Sequence, residues 1–159
     1  DIFNRGVLGV QIEVEFSPLY SNQPLFAEVD THLRNLGFSL FDLRVAYRHR
    51  SCSPIVSQTR PGQLLWGEAF YLRDPIGDNA NPIVKEPEKI LKLACIADVL
   101  DFPDYALELL EYLTINYGNN AQYNFAETII KSLSQIPQLV EKGLDSLPIV
   151  NKIRPYLNR

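Results

Sequence analysis

The chain of 159 residues has no methionine, two cysteines, two histidines and one tryptophan. Each scarcity closes off a reading. Cys52 and Cys95 lie far apart, in segments of different character, so they make neither a disulfide framework nor a metal-ligand cluster, and no metal is expected. Cys95 falls in an apolar helical run and reads as a small core residue, whereas Cys52 falls in a polar loop. Without a disulfide framework the expected compartment is a reducing cytoplasm. The two histidines, His32 and His49, have no motif around them from which a Ser–His–Asp arrangement can be argued. No run approaches the roughly 18 apolar residues of a membrane span. Positive charge is not in surplus either: the formal net charge is −4 and the pI about 5.2, which disfavours nucleic-acid binding through a basic surface. A chain that lacks methionine and starts at Asp1 is expected to be an excised piece of a longer protein.

What is present is ordinary globular material, 46% hydrophobic and 21% charged, at a length sufficient for a sizeable core. In GVQIEVEFSPLY, residues 9–20, Val10, Ile12, Val14 and Phe16 alternate with Gln11, Glu13, Glu15 and Ser17. Period-two alternation predicts a half-buried strand over 7–16, because successive side chains leave a strand on opposite faces. Pro24 then stands where a helix start tolerates it, and Leu25, Phe26, Val29, Leu33 and Leu36 follow at helical spacing. Gly37 is placed for a left-handed cap. FSLFDLR predicts a second strand from Phe38, and residues 46–62, interrupted by Pro54 and Pro61-Gly62, predict a long loop. QLLWGEAFYLRD predicts a third strand over 63–74, with Trp66 in the core.

A strand, a helix and a strand in immediate succession predict a right-handed crossover between parallel strands. The third strand arrives without a helix and is expected to run antiparallel to its predecessor. The fold class expected is therefore α/β, α+β in appearance: a three-stranded mixed sheet over residues 1–74. Residues 75–87, with Pro75, Gly77, Asp78, Asn79, Asn81, Pro82 and Pro87, read as a linker. From 88 to 159 the period is helical throughout, with Pro103, Gly118-Asn119-Asn120, Pro137, Pro148 and Pro155 marking the breaks, so an all-helical bundle extension is expected.

The run LGVQIEVEFSPLYSNQPLFAEVDTHLRNLGFSLFDLR, followed by GQLLWGEAFYLRD, resembles the C-terminal half of the FkbM family of S-adenosylmethionine-dependent methyltransferases. The resemblance covers about residues 7–74 and rests on the E-V-E-F strand, the P-L-Y and Q-P-L-F pieces, the L-G-F helix end and L-W-G-E-A-F-Y-L-R-D. It implies a seven-stranded Rossmann-like sheet, of which this chain supplies the fifth, sixth and seventh strands, with the seventh between the fifth and sixth. It also implies O-methyl transfer to a small-molecule, sugar or lipid hydroxyl acceptor. The family's Gly-rich turn after the first strand is absent: Gly6 and Gly9 do not make a Gly-x-Gly-x-x-Gly turn between a strand and a helix. S-adenosylmethionine is thus expected in the parent protein and not in this chain alone, whose part is the acceptor-side wall.

Ligands of open α/β sheets sit beyond the carboxyl ends of the parallel strands. Glu15 is at that end of the first strand and is the candidate catalytic carboxylate, accepting or orienting a substrate hydroxyl's proton. Glu13, roughly 7 Å away on the same face, is a candidate substrate-binding residue; the alternative for both is a solvated strand face. Tyr20, in the loop after the strand, occupies a ligand-facing position or packs under the next helix. Glu68, a charge inside a central strand, needs a partner or a cavity. Arg48 belongs to a basic cluster with Arg44, His49, Arg50 and Arg60, which either cradles an anion or is a solvated loop. His32, one turn after Glu28, reads as a surface residue of its helix.

A reading of another class is a non-catalytic helical protein-interaction module, with residues 87–159 offering an apolar groove to a partner. The opening strand, if it lies at a bare sheet edge, also invites a homodimer through strand pairing.

Overall fold

In the computed structural model, which describes residues 6–77 and 85–157, the alternating stretch becomes strand β1 (Gly9–Glu15). Helix α1 (Phe26–Asn35) follows, then β2 (Phe38–Arg48) and β3 (Gln63–Arg73). The chain divides into two compact units, Asp1–Asp74 and Pro75–Arg159. Most of the expected linker, residues 78–84, lies outside the described residues.

The sheet order is β1-β3-β2, and both pairings are antiparallel. This corrects the expectation of a mixed sheet. β1 and β2 do run in the same direction, but β3 lies between them, so no parallel pair is hydrogen-bonded. The reason is backbone satisfaction: in the central slot β3 has its N–H and C=O groups paired on both sides. β2 is also longer than the seven residues FSLFDLR, reaching Arg48 with register shifts at Leu40/Asp42 and Ala46/Tyr47. As an edge strand it accommodates polar residues and bulges that a central strand would not.

One face of the sheet is apolar and carries the core of this unit. Val14, Ala69, Tyr71, Leu33 and Phe38 are buried there, with Val10, Ile12, Leu40, Leu43, Phe26, Val29 and Leu36 packed around them. Side chains of this kind contribute roughly 1.5–3 kcal/mol each when fully buried. That seam, rather than helix propensity, holds a helix of ten residues in place. Phe16, leaving β1, meets Phe26, entering α1, with ring centroids 5.2 Å apart.

The ends of α1 are specified locally. Glu28 Oε2 accepts a hydrogen bond from the Leu25 N–H at 2.9 Å, satisfying one donor of the first turn. At the other end Gly37 has φ +83, and a Cβ there would stand 2.8 Å from Nη1 of Arg73, so the cap needs glycine for its backbone angle and for space. Arg73, only 2% exposed, donates to the carbonyl of Leu36 and, at 3.3 Å, to that of Val7. Its guanidinium lies 3.9 Å from the centroid of the Phe38 ring. A cation against the last carbonyls of a helix is favoured by the helix dipole. Burial lowers the pKa of Arg73 from its usual value.

Helix and sheet are also joined by polar contacts. Tyr71, fully buried on β3, donates from its hydroxyl to Asp30 Oδ1 at 3.1 Å, and Arg34 Nε donates to Asp30 Oδ2 at 2.8 Å. Burial, and then the bond to Asp30, push the Tyr71 phenol up to about 12.

The second unit is helical. α2 (Pro87–Val99) and α3 (Pro103–Tyr117) are joined by a short turn in which Asp101 has φ 65. α4 (Ala126–Leu133), α5 (Pro137–Lys142) and α6 (Pro148–Ile153) follow. A cluster of Ala126, Ile129, Leu133, Val150 and Ile153 forms its C-terminal core. Thr114, fully buried, donates to the Leu110 carbonyl and accepts from the Phe125 N–H, tying α3 to the start of α4. Cys95 is exposed, not a core residue as expected. The buried stripe of α2 is Ile90, Leu93, Ala94 and Ala97, and position 95 falls off that stripe at helical spacing. His32 is exposed on α1.

The raised Tyr71 pKa has a defined sign. Between about pH 10 and pH 12 the unfolded chain gives up this proton before the folded chain does, so stability is present in full below pH 10 and falls as pH rises through the window. Chemical denaturation of wild type and Tyr71→Phe across this range should show the wild type losing about 1–3 kcal/mol more than the variant. Parallel losses in the two proteins would contradict the buried hydroxyl.

Candidate functional site

The register of the sheet decides which sequence candidates meet. Because directly opposed residues of antiparallel strands share a face, the face opposite α1 carries three rows: Gln11, Phe70 and Asp42; Glu13, Glu68 and Arg44; Glu15, Trp66 and Ala46. Glu13 and Glu68 are therefore cross-strand neighbours. The backbone bond from Phe16 N to Leu65 O, 2.8 Å long, fixes the alternation and makes 13/68 a non-hydrogen-bonded pair, the closer kind for side chains. Arg44 flanks Glu68 on the other side, pairs with Asp42 at 3.3 Å and lies 5.1 Å from the centroid of the Phe70 ring.

Glu15 and Glu13 do not share an environment. Glu13 is exposed and Glu15 only 8% exposed, so the solvated strand face, the alternative for both, describes Glu13 and not Glu15. Glu15 stands in the last row of β1 opposite Trp66, where a half-buried indole, expected in the core, instead belongs to this second face. Glu68 is half-buried.

All three strands bring functional candidates to one end of the sheet. β1 ends at Glu15, β2 ends at Arg48, and β3 begins opposite both, at Gln63 and Trp66. Gln63 Nε2 donates to Ser17 Oγ at 3.1 Å, joining the exit of β1 to the entry of β3. Tyr20, in the connection after β1, is 73% exposed, and its N–H donates to Gln23 Oε1. The 49–62 connection leaves from this same end and forms a cleft of about 360 Å³ lined by His49, Arg50, Ser53, Ile55, Ser57 and Arg60, together with Gly62 and Gln63. Position 62 needs glycine: φ is +113, and a Cβ would come within 2.5 Å of the Arg48 carbonyl oxygen. Of the basic cluster read from the sequence, His49, Arg50 and Arg60 line this cleft. Arg48 ends β2 beside it without lining it, and Arg44 belongs to the sheet face.

The turn around Ser57 was not legible in the sequence. Its Oγ accepts from the N–H groups of Thr59 and Arg60, at 3.3 and 3.0 Å, and this brings Arg60 back toward Arg50. The signal available was charge segregation, since no Asp or Glu occurs between Asp42 and Glu68.

No Gly-rich turn of the kind the resemblance implies for the cofactor follows β1. The β1–α1 connection, residues 16–25, contains no glycine. At Gly9 the space a Cβ would take is occupied by Leu72 Cδ2, 2.8 Å away, so this glycine packs the sheet and opens no cradle. Among the described residues no group of three His, Cys, Asp or Glu side chains can hold a metal ion, and no helix is long and apolar enough to cross a membrane.

No family model, curated protein or solved structure matches the chain.

Two carboxylates facing each other on adjacent strands cost stability. Glu13→Gln should raise the unfolding free energy by about 0.2–1 kcal/mol at pH 7 and low salt, measured by denaturant titration. An unchanged or lowered value would mean that Arg44 already neutralises the pair.

Proposed function

We propose that this chain is the acceptor-side part of an FkbM-like, S-adenosylmethionine-dependent O-methyltransferase. The observation that carries the reading is the order β1-β3-β2 with β1 and β2 co-directional. It is the arrangement that the sequence resemblance implies for the last three strands of such a fold. It also gathers the carboxyl ends of both co-directional strands at one end of the sheet, the end at which open α/β sheets receive ligands.

In this reading Glu15, at the end of β1 and little exposed, takes the proton of the acceptor hydroxyl. Glu13 and Glu68 hold polar groups of the acceptor from the sheet face. Tyr20 and Arg48 border it from the β1–α1 connection and the end of β2. The methyl donor is held by strands other than these three. The acceptor is a small-molecule, sugar or lipid hydroxyl. The outer edge of β1, which among the described residues has no strand beside it, is where a neighbouring strand of the parent, or a second copy of this chain, pairs.

A second reading has one observation in its favour: Ile136, at the entry of α5, and Val140, four residues on within it, are 43% and 49% exposed. Residues at this spacing share a helix face, which suits a helical protein-interaction module.

Calorimetric titration of S-adenosylhomocysteine separates these readings. The 159-residue chain, shown to be folded, should give no binding heat, and the complete translation product of its gene should bind saturably. Binding by the short chain would contradict the division of labour, and a folded complete product that does not bind would contradict methyl transfer.

A further inference from the structure

We propose that the 49–62 connection binds a small anionic amphiphile, an apolar body bearing a phosphate or carboxylate, and that amphiphiles of this class which also carry a hydroxyl are the acceptors the protein recognises. The inference rests on the acceptor-side reading for the word acceptor, but the binding site itself rests on the cleft.

The first observation is charge. Arg44, Arg48, His49, Arg50 and Arg60 fall within residues 43–67, a stretch with no Asp or Glu, in a chain of net charge −4. Arg50, Arg60 and His49 converge on one cleft of about 360 Å³. Among the described residues neither Arg50 nor Arg60 forms an ion pair. Two guanidinium forks that pair with no carboxylate among the described residues match the planar, bidentate recognition of a carboxylate or phosphate. Ser57 adds to them: its oxygen already accepts two backbone N–H groups, so its own proton remains to be donated into the cleft it lines.

The second observation is independent of charge. Among the described residues, every exposed large hydrophobic side chain of the first unit lies at this end of its sheet: Leu19 and Tyr20 after β1, Val45 and Tyr47 in the last four residues of β2, Ile55 and Val56 in the connection itself. Ile55, 82% exposed, also lines the cleft. Apolar surface gathered at the end that carries a cationic cleft, with no large hydrophobic exposed at the opposite end of this unit among the described residues, has the polarity of a ligand with an anionic head and an apolar body. The cleft volume, within the range of small-molecule sites, favours a single molecule over a membrane surface.

The probe is monododecyl phosphate below its micellar concentration, titrated into the 159-residue chain and followed by amide chemical shifts. Saturable shifts at His49, Arg50, Ile55 and Arg60 are expected. The exposed double variant Arg50→Gln/Arg60→Gln should bind at least about 10-fold more weakly, and Ile55→Ser about 3- to 10-fold more weakly. Inorganic phosphate should bind more weakly than the alkyl phosphate. The proposal is overturned if no saturable binding occurs, if the double variant binds equally well, or if uncharged dodecyl maltoside binds as tightly. Binding to phosphatidic-acid vesicles without binding to the monomeric amphiphile overturns it too, in favour of a lipid surface. The readout needs no methyl donor. Dodecyl phosphate binding alongside a complete product that ignores S-adenosylhomocysteine keeps this site and removes methyl transfer, and the converse result does the reverse.

Discussion

The insertion of β3 between β1 and β2 is the constraint on which the first unit depends. A strand paired on both sides fixes the register of two neighbours at once, and a slip of one residue would turn Val14, Ala69 and Leu43 away from α1. Arg73 locks the far end of this strand. Its backbone N–H donates to Leu8 and its side chain to Val7 and Leu36, so β3, the entry to β1 and the last turn of α1 close on one buried cation. Breaking a buried, hydrogen-bonded cation of this kind is costly.

That opposite end follows from the same topology. Because β1 and β2 are co-directional with β3 reversed between them, both carboxyl ends and the 49–62 connection must emerge together. No attraction among Glu15, Tyr20, Arg50 and Arg60 is needed to bring them to one end; the strand directions do it. The chemistry is then divided by position: carboxylates on the sheet face, cations in the connection, exposed apolar side chains around both.

Much of the scaffold was legible because each element has a local cause. The alternation of Val10 to Phe16 marks a strand, the spacing of Phe26, Val29 and Leu33 marks a helix, and Gly37 marks its end. What was not legible depends on partners distant in sequence. Periodicity cannot report that β3 takes the central slot; the resemblance implied that slot, but the spacing alone led to a mixed sheet. It cannot report that Tyr71 reaches Asp30 across 41 residues, or that Arg73 closes the corner. For the candidate site, the identity of the charged residues was visible and their grouping was not. Glu13 and Glu15 alternate perfectly, yet the neighbours supplied by β3, Glu68 for one and Trp66 for the other, give them different surroundings. Cys95 was misplaced for a simpler reason: an apolar helical run has two faces, and only the register of Ile90, Leu93, Ala94 and Ala97 tells which is buried.

Amide hydrogen exchange resolved residue by residue tests the topology most directly. Successive N–H groups of β3 point alternately to β1 and β2, so a central β3 requires consecutive residues from Trp66 to Leu72, the stretch paired on both sides, to exchange slowly together. The outward N–H groups of Gln11 and Glu13 on β1 should exchange quickly in the same sample. Protection of only every second residue along β3 would make it an edge strand, and with that the convergence of the two carboxyl ends, and the site built on it, would be contradicted.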